Sequence, residues 1–454
     1  MTSDPTPPLA QRPARLPRAV VLLGWVSFFA DISSEMVYPL IPMFVVGVLG
    51  ASATTLGGIE GAAALLVAFV TAWAGFRSDR RRRRVPYLHV GYGLPVIGKA
   101  MLALAFAWPV VLAGRLIDRL GKGLRTSPRD ALIADAAAPS IRGRAFGFHR
   151  AMDTAGAMVG VLLAAALLWW FTGAPTTAPA AGQTAPVPHD SGWAFRVVFA
   201  ISAALGLCSL ALTFLIREPA PPPAAAPTPA PAPAADPRGD APARRLGLPP
   251  AYWRTIAPLL VFAIANSSDA FLLLRARDVG LSPWAVVVAY ALFNLTYTAL
   301  SYPAGVISDR LGRWRVIALG WSIYALVYAG FALTVADGVW PLLALYGVYM
   351  ALTDGVGKAL VADHAPPDKR GTAIGVYSML SGLATLLASL VAGLLWDRLG
   401  PPATFALGAA AAALATLLIP VLRPRSSPPA HADATTHTAA TTHATQHPEP
   451  HSRP

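Results

Sequence analysis

The chain has 454 residues, 55% of them hydrophobic and only 13% charged, about half the charge of an ordinary soluble domain, which weighs against a soluble globular enzyme. The apolar residues come in blocks of about twenty, each long enough to cross a ~30 Å hydrocarbon core as a helix, so a polytopic membrane protein is expected. The 36 Lys and Arg against 23 Asp and Glu, a net +13, lie between the apolar blocks and read as a topology signal rather than a nucleic-acid footprint.

Residues 1–18 are Pro-rich and basic (Arg12, Arg15, Arg18) and lead into an apolar stretch too long for a signal-peptide core. No small-residue cleavage site follows, so the first helix is expected to be retained. Breakers between apolar blocks predict helices near 19–46, 54–75, 87–106, 109–133, 145–170 and 194–216, then 254–275, 284–305, 315–335, 340–362, 372–396 and 402–422. The first six form one bundle, 19–216, and the last six another, 254–422. Residues 217–253 between them are so rich in Pro and Ala that they read as an extended, solvated linker. Residues 423–454 read as a disordered tail; its His431, His437, His443, His447 and His451 match no compact metal site. Cys208 is the single cysteine and lies inside an apolar block, which leaves no disulfide framework and no thiolate metal site.

Alternate connections carry the arginines. Arg77 with Arg80 to Arg84, Arg142 and Arg144, the linker, Arg310, Arg313 and Arg315, and Lys369 and Arg370 share one side, whereas 47–53, 107–108, 171–193 and 336–339 hold no Lys or Arg. Arg275, Arg277 and Arg398 are exceptions. The positive-inside rule then puts both termini in the cytoplasm.

The halves repeat each other. LIADAAAPSIRGRAFGFHRAMDTAG (132–156) aligns without gaps on LVADHAPPDKRGTAIGVYSMLSGLA (360–384), matching Asp135 with Asp363 and Gly147 with Gly375. GFRSDR from Gly75 answers GVISDR from Gly305, and ADISSE (30–35) answers ANSSDA (265–270). Two parallel six-helix repeats suit a rocking transporter with its site between the bundles.

Gly305-x-x-Ser308-Asp309-Arg310-x-Gly312-Arg313, with its partner Gly75-x-x-Ser78-Asp79-Arg80, resembles the signature loop of the major facilitator superfamily. The resemblance covers about 19–422 and is closest to drug and metabolite permeases; Arg82 stands where the first copy would carry glycine. It implies an all-α integral membrane fold of twelve helices in two pseudo-symmetric bundles. It also implies a cytoplasmic gate built on Gly75, Asp79, Arg80, Gly305, Asp309, Arg310, Gly312 and Arg313, and a central cavity lined by helices 1, 4, 7 and 10.

Those four helices carry the intramembrane charges, which are costly unless they face a cavity or a partner. Helix 1 has Asp31 and Glu35, helix 4 Arg115, Asp118, Arg119 and Lys122, helix 7 Asn266 and Asp269, helix 10 Asp354 and Lys358. Arg115, Arg119, Lys122, Arg125 and Arg129 recur at steps of three and four and form one basic stripe. Depth counting at ~1.5 Å per residue sets Asp31 level with Arg119 to Lys122 and Glu35 level with Arg115, so these are expected to pair; Glu60 and Lys99 are expected to pair between helices 2 and 3. Asp31 and Glu35 are the proton-carrier candidates. Arg115 joins them because it resembles the buried arginine of a family motif on helix 4, although the glycines that follow, Gly121 and Gly123, come two residues late. Gly156-x-x-x-Gly160 resembles part of an antiporter motif, with Val161 where proline is usual, and reads equally as close helix packing.

The stripe reads either as structural pairing or as an attractor for an organic anion. The expectation is a secondary transporter that works by alternating access, coupled to protons, in a bacterial inner membrane. Its cargo is a small organic solute, anionic or zwitterionic first, and a monomer surrounded by lipid, without cofactor, metal or nucleic acid, suffices. A multidrug antiporter for lipophilic or cationic compounds is the nearest alternative. A lipid phospho- or prenyltransferase has too few clustered acids to hold Mg²⁺ and a diphosphate, and no nucleophile set or Walker loop is present. A transporter-like sensor stays open.

Overall fold

A computed structural model describes residues 16–81, 83–137, 142–172, 192–218, 247–365 and 370–422. Most of the linker, the histidine-bearing tail and residues 1–15 lie outside the described residues, as do the side chains of Asp79, Arg80 and Asp309. The first bundle contains α1 (Arg18–Val37), α2 (Ala53–Arg81), α3 (Val85–Ala103), α4 (Trp108–Ala136), α5 (Arg142–Thr172) and α6 (Gly192–Thr213). The second contains α7a (Pro250–Ala265) and α7b (Ala270–Asp278), which make one broken span, then α8 (Pro283–Leu311), α9 (Arg313–Leu333), α10 (Val339–Asp363), α11 (Arg370–Leu399) and α12 (Pro401–Leu422). Ten of the twelve spans are apolar enough to cross a bilayer by composition alone; α3 and α4 are not. In α4 the four ionisable residues between Arg115 and Lys122 are the reason, and the span is held through α3 instead. There a methyl group placed on Gly98 would lie 2.5 Å from the Gly114 carbonyl oxygen, so the two backbones touch. Small residues at such crossings are how helices associate where lipid offers no hydrophobic contrast.

Two predicted helices differ from what is observed. The first does not run to residue 46 as α-helix: it ends at Val37 and continues as a 3₁₀ turn (Tyr38–Leu40) and a π turn (Met43–Val48). Pro39 and Pro42 lack the amide hydrogen an α-helix needs at those positions. The seventh breaks at Asn266 to Asp269. Four consecutive short polar side chains compete there for backbone groups and outweigh the apolar flanks. Arg275 and Arg277, which depart from the positive-inside pattern, close the end of α7b locally. Arg275 pairs with Asp278 and donates to the Phe331 carbonyl at 3.2 Å, and Arg277 donates to the Leu281 carbonyl at 2.7 Å.

The sequence repeat is a structural repeat. In the first half α1 packs on α5 and α6, α2 on α4, and α3 on α4 and α6; in the second half α7a packs on α11 and α12, α8 on α10, and α9 on α10 and α12. The repeated segments do similar work twice. Ser78 bonds the Gly75 carbonyl at 3.0 Å and Ser308 the Gly305 carbonyl at 2.7 Å. Arg84 pairs with Asp135 at 2.5 Å, tying α3 to α4, and Arg313 pairs with Asp363 at 2.6 Å, tying α9 to α10. Gly312 closes α8 at φ 91°, a conformation that favours glycine.

The halves meet along α2 with α11 and along α5 with α8. α2 and α11 are in closest contact away from the arginine-rich end: a methyl group on Gly57 would lie 2.1 Å from the Ser389 carbonyl oxygen, and one on Gly393 2.5 Å from Thr54 Cα. Toward the arginine-rich end the clearance widens to 3.2 Å at Gly382 and 3.5 Å at Gly375. Asp397 on α11 adds a latch at the far end, accepting from the backbone amides of Ala53 and Thr54 at 2.9 and 2.8 Å and from the Thr54 hydroxyl at 2.6 Å. It thereby caps the first turn of α2 across the boundary between halves. At the arginine-rich end a cleft of about 390 Å³ opens between Arg150 of α5 and residues of α8, α9 and α10, among them Tyr297, Ser301, Arg313 and Asp354. The molecule is shut at the far end and open at the other.

Candidate functional site

The basic stripe of α4 divides into a committed part and a free part. Arg115 is 2% exposed and grips Glu60 of α2 with both ends of its guanidinium, Nε to Oε1 at 2.9 Å and Nη2 to both carboxylate oxygens at 2.6 Å. Its other face lies 5.8 Å from the centre of the Tyr38 ring. Asp118 lies one turn on, 3.8 Å from Arg115, 3.8 Å from Arg119 and 3.9 Å from Lys99. Lys99 of α3 donates to Ser33 at 2.7 Å and to Ser34 at 3.2 Å on α1. Glu60 therefore belongs to Arg115 rather than Lys99, and Arg115 to Glu60 rather than Glu35. α2 packs directly on α4, so its carboxylate reaches the guanidinium first. Beside this network is a space of about 10 Å³ touching Glu35, Tyr38 and Arg119, room for a single water.

Arg119 and Lys122 are different. Among the described residues neither makes a side-chain hydrogen bond, and Arg119 approaches an acid only at the 3.8 Å contact with Asp118. Lys122 is exposed, and Arg119 keeps 15% of its side chain accessible. Glu35, expected level with Arg115, is bound by none of these cations: it accepts a hydrogen bond at 3.1 Å from Tyr290 of α8, while Tyr290 also lies against Tyr38, ring centres 5.6 Å apart. Glu35 thus links the two halves. Asp31 faces α5, where its carboxyl group meets that of Asp153 at hydrogen-bonding distance; Arg125 and Lys122 are the cations that act on it most.

In the second half tyrosines hold the acids. Asp269, at the break in α7, accepts from Tyr346 of α10 at 2.6 Å; Asp354 accepts from Tyr297 at 2.9 Å and pairs with Lys358 at 2.8 Å. Asn266 lies at the same break with its side-chain oxygen buried and unbonded. Around it is an aromatic wall in which Phe262 stacks on Trp321 (4.4 Å) and Tyr324 on Tyr328 (4.0 Å). Arg310 is exposed. Sequence reasoning missed Tyr290 and Tyr346. Their signal is weak, a tyrosine among apolar neighbours, because a phenol in a membrane helix packs as often as it bonds.

A family model of the Major Facilitator Superfamily matches residues 23–353 and 273–448. The chain belongs to this superfamily. An uncharacterized MFS-type transporter of Methanocaldococcus jannaschii is 31% identical over 414 residues, which cover 89% of this chain and 94% of the relative. The quinolone resistance protein NorA of Staphylococcus aureus is 20% identical over 422 residues, 88% of this chain and 96% of NorA. Among solved structures the nucleoside transporter NupG superposes with a TM-score of 0.68 at 13% identity, over 90% of this chain and all of NupG, and so shares its fold. The fold and family are those of multi-pass membrane transporters that carry small molecules, which is also where the twelve spans and the two-fold repeat lead.

Proposed function

We propose that this transporter works by alternating access, driven by protons, and moves a small organic anion or zwitterion across a bacterial inner membrane as a monomer. The arginine-rich end is the cytoplasmic face under the positive-inside rule, so both termini, the linker at 217–253 and the tail are cytoplasmic and the described conformation faces inward. The observation that carries the cargo class is the pair Arg119 and Lys122. They are two cations on one helix face with no side-chain hydrogen bond among the described residues, next to an arginine already neutralised by Glu60. A guanidinium and an ammonium side by side recognise carboxylate or phosphate oxygens. Asp269, Asp354, Lys358 and Asn266 are the cargo-facing candidates of the second half; of these Asp354 lines the cleft of about 390 Å³, a volume in the range of small-molecule sites, which Arg119 and Lys122 do not line. Asp118 and Arg115 organise the site rather than touch cargo. Asp31 and Glu35 carry the proton, and the signature-loop residues gate the cytoplasmic side.

A second reading, efflux of lipophilic or cationic drugs, is favoured by the aromatic wall and by similarity to NorA along almost its whole length. A thermal-shift screen of the detergent-solubilised protein separates the two, since a ligand bound only by the folded state raises Tm. Stabilisation by organic anions or phosphate esters that is lost in Arg119→Ala supports the anion site. Stabilisation by lipophilic cations that survives Arg119→Ala but is lost in Glu35→Ala overturns it in favour of drug export.

A further inference from the structure

α1 and α5 run side by side in unusually close register. A methyl group on Gly156 would lie 2.3 Å from the Phe28 carbonyl oxygen, and one on Gly160 2.4 Å from that of Ile32. On the facing stripe, two pairs of polar residues meet one helical turn apart. Ser27 is hydrogen-bonded to His149 at 2.7 Å, and four residues on along both helices the carboxyl of Asp31 meets that of Asp153. Asp153 Oδ1 is fully buried and has no donor in hydrogen-bonding range; Arg150 stands 3.7 Å away, by Oδ2. Two ionised carboxylates are acceptors only and repel each other, so a buried carboxylate beside a second carboxyl is satisfied when one of the two carries a hydrogen. Carboxyl pairs at such range hold one proton between them.

We infer that Asp31 and Asp153 share a single proton, which makes Asp153, on α5, the second member of the proton site. The inference rests on the proton-coupled reading above and adds to it the residue that holds the proton with Asp31. The glycine contacts keep α1 and α5 together, so rocking of one half against the other need not pull the pair apart. What changes its occupancy is access and surrounding charge. The charged and titratable groups that act on it are Lys122, Arg125 and Arg129 from α4, His149 and Arg150 from α5, and Lys99 from α3. Arg125 is buried over the Tyr92 ring at 4.3 Å, and Arg150, though exposed, already stands 3.7 Å from Asp153, whereas Lys122 is exposed, makes no side-chain hydrogen bond among the described residues, and is the cation an anionic cargo would neutralise. Neutralising a cation beside the pair favours the protonated form, and by linkage the proton then favours the anion. Anion and proton accordingly bind together, which is the coupling of a symporter; a cationic cargo drawn to the same acids would displace the proton and be exchanged for it.

Infrared difference spectroscopy of the full-length protein, titrated in buffer without cargo, tests this through the C=O stretch that a protonated carboxyl group has and a carboxylate lacks. A band is expected that Asp31→Asn and Asp153→Asn remove equally and that Glu35→Gln leaves in place. Lys122→Gln, which mimics the neutralised cation, is expected to keep the band to a higher pH. Persistence in Asp153→Asn of the band that Asp31→Asn removes, or no such band in the parent protein, overturns the shared proton; an unmoved titration in Lys122→Gln overturns the coupling sign. Thermal melts check that each variant is folded. The anion-stabilisation screen reports separately on the transport reading, so an anion site without a shared proton, or a shared proton without an anion site, is recognised as such.

Discussion

Replacing Asp397 by alanine removes a cap that crosses from one half of the transporter to the other. The carboxylate accepts three hydrogen bonds at the start of α2, at 2.9, 2.8 and 2.6 Å. All three exist while α2 and α11 are in contact at the far end, and opening that end breaks them together. Loss of an N-cap side chain costs about 1 kcal/mol, and solvent exposure of Asp397 keeps the value near that figure rather than above it. Since ~1.4 kcal/mol is a tenfold change in an equilibrium constant, the far end should open about fivefold more often. Ser389 reports on this, because it is fully buried where α11 meets Gly57. In a Cys208→Ser background, a cysteine introduced by Ser389→Cys should react with a polar maleimide about fivefold faster once Asp397→Ala is added. Asp397→Asn, which keeps one acceptor oxygen, should fall between. An unchanged labelling rate in Asp397→Ala would mean that the latch does not bias the conformational equilibrium.

Other outcomes follow from the same geometry. Glu60→Ala strands the Arg115 guanidinium in a buried site and should lower stability by roughly 3–5 kcal/mol, read as a large fall in Tm; a nearly unchanged Tm would place Arg115 in the substrate path instead. Arg119→Ala should leave Tm within a few degrees yet weaken anion binding about tenfold or more, the loss of a charge-assisted hydrogen bond, measured by titration calorimetry. Gly156→Leu and Gly160→Leu should each separate α1 from α5 and lower Tm, because the added side chain meets backbone rather than a movable side chain; full stability in either would contradict the packing role of this glycine pair. Tyr290→Phe should leave the fold intact and release Glu35, changing how transport depends on pH while the thermal stability without cargo stays close to that of the parent protein.

Twelve spans, two halves and the aligned motifs were legible from the chain because they rest on local quantities. Apolar run length decides whether a helix can cross a bilayer, and the repeat sets Asp135 opposite Asp363, each of which pairs with an arginine of its own half. The basic stripe was equally legible, since residues three and four apart on a helix share a face whatever surrounds it. The partners of that stripe were not. Counting from helix ends gives the height of a side chain along its axis but not its direction around the axis. Glu35 and Arg115 do lie level, yet Glu35 turns to Tyr290 and Arg115 to Glu60. The break in α7 escaped for the opposite reason: Asn266 to Asp269 sit inside an apolar run that average hydropathy reads as continuous, and only where α10 brings Tyr346 and α11 brings Ser389 to the exposed backbone and Asp269 does the break find partners. The sequence by itself determined the number of spans, their pairing into repeats and which helix faces are charged. Tertiary packing decided which of those charges are spent on one another and which, Arg119 and Lys122, stay available, because that choice depends on how each helix is rotated against its neighbours.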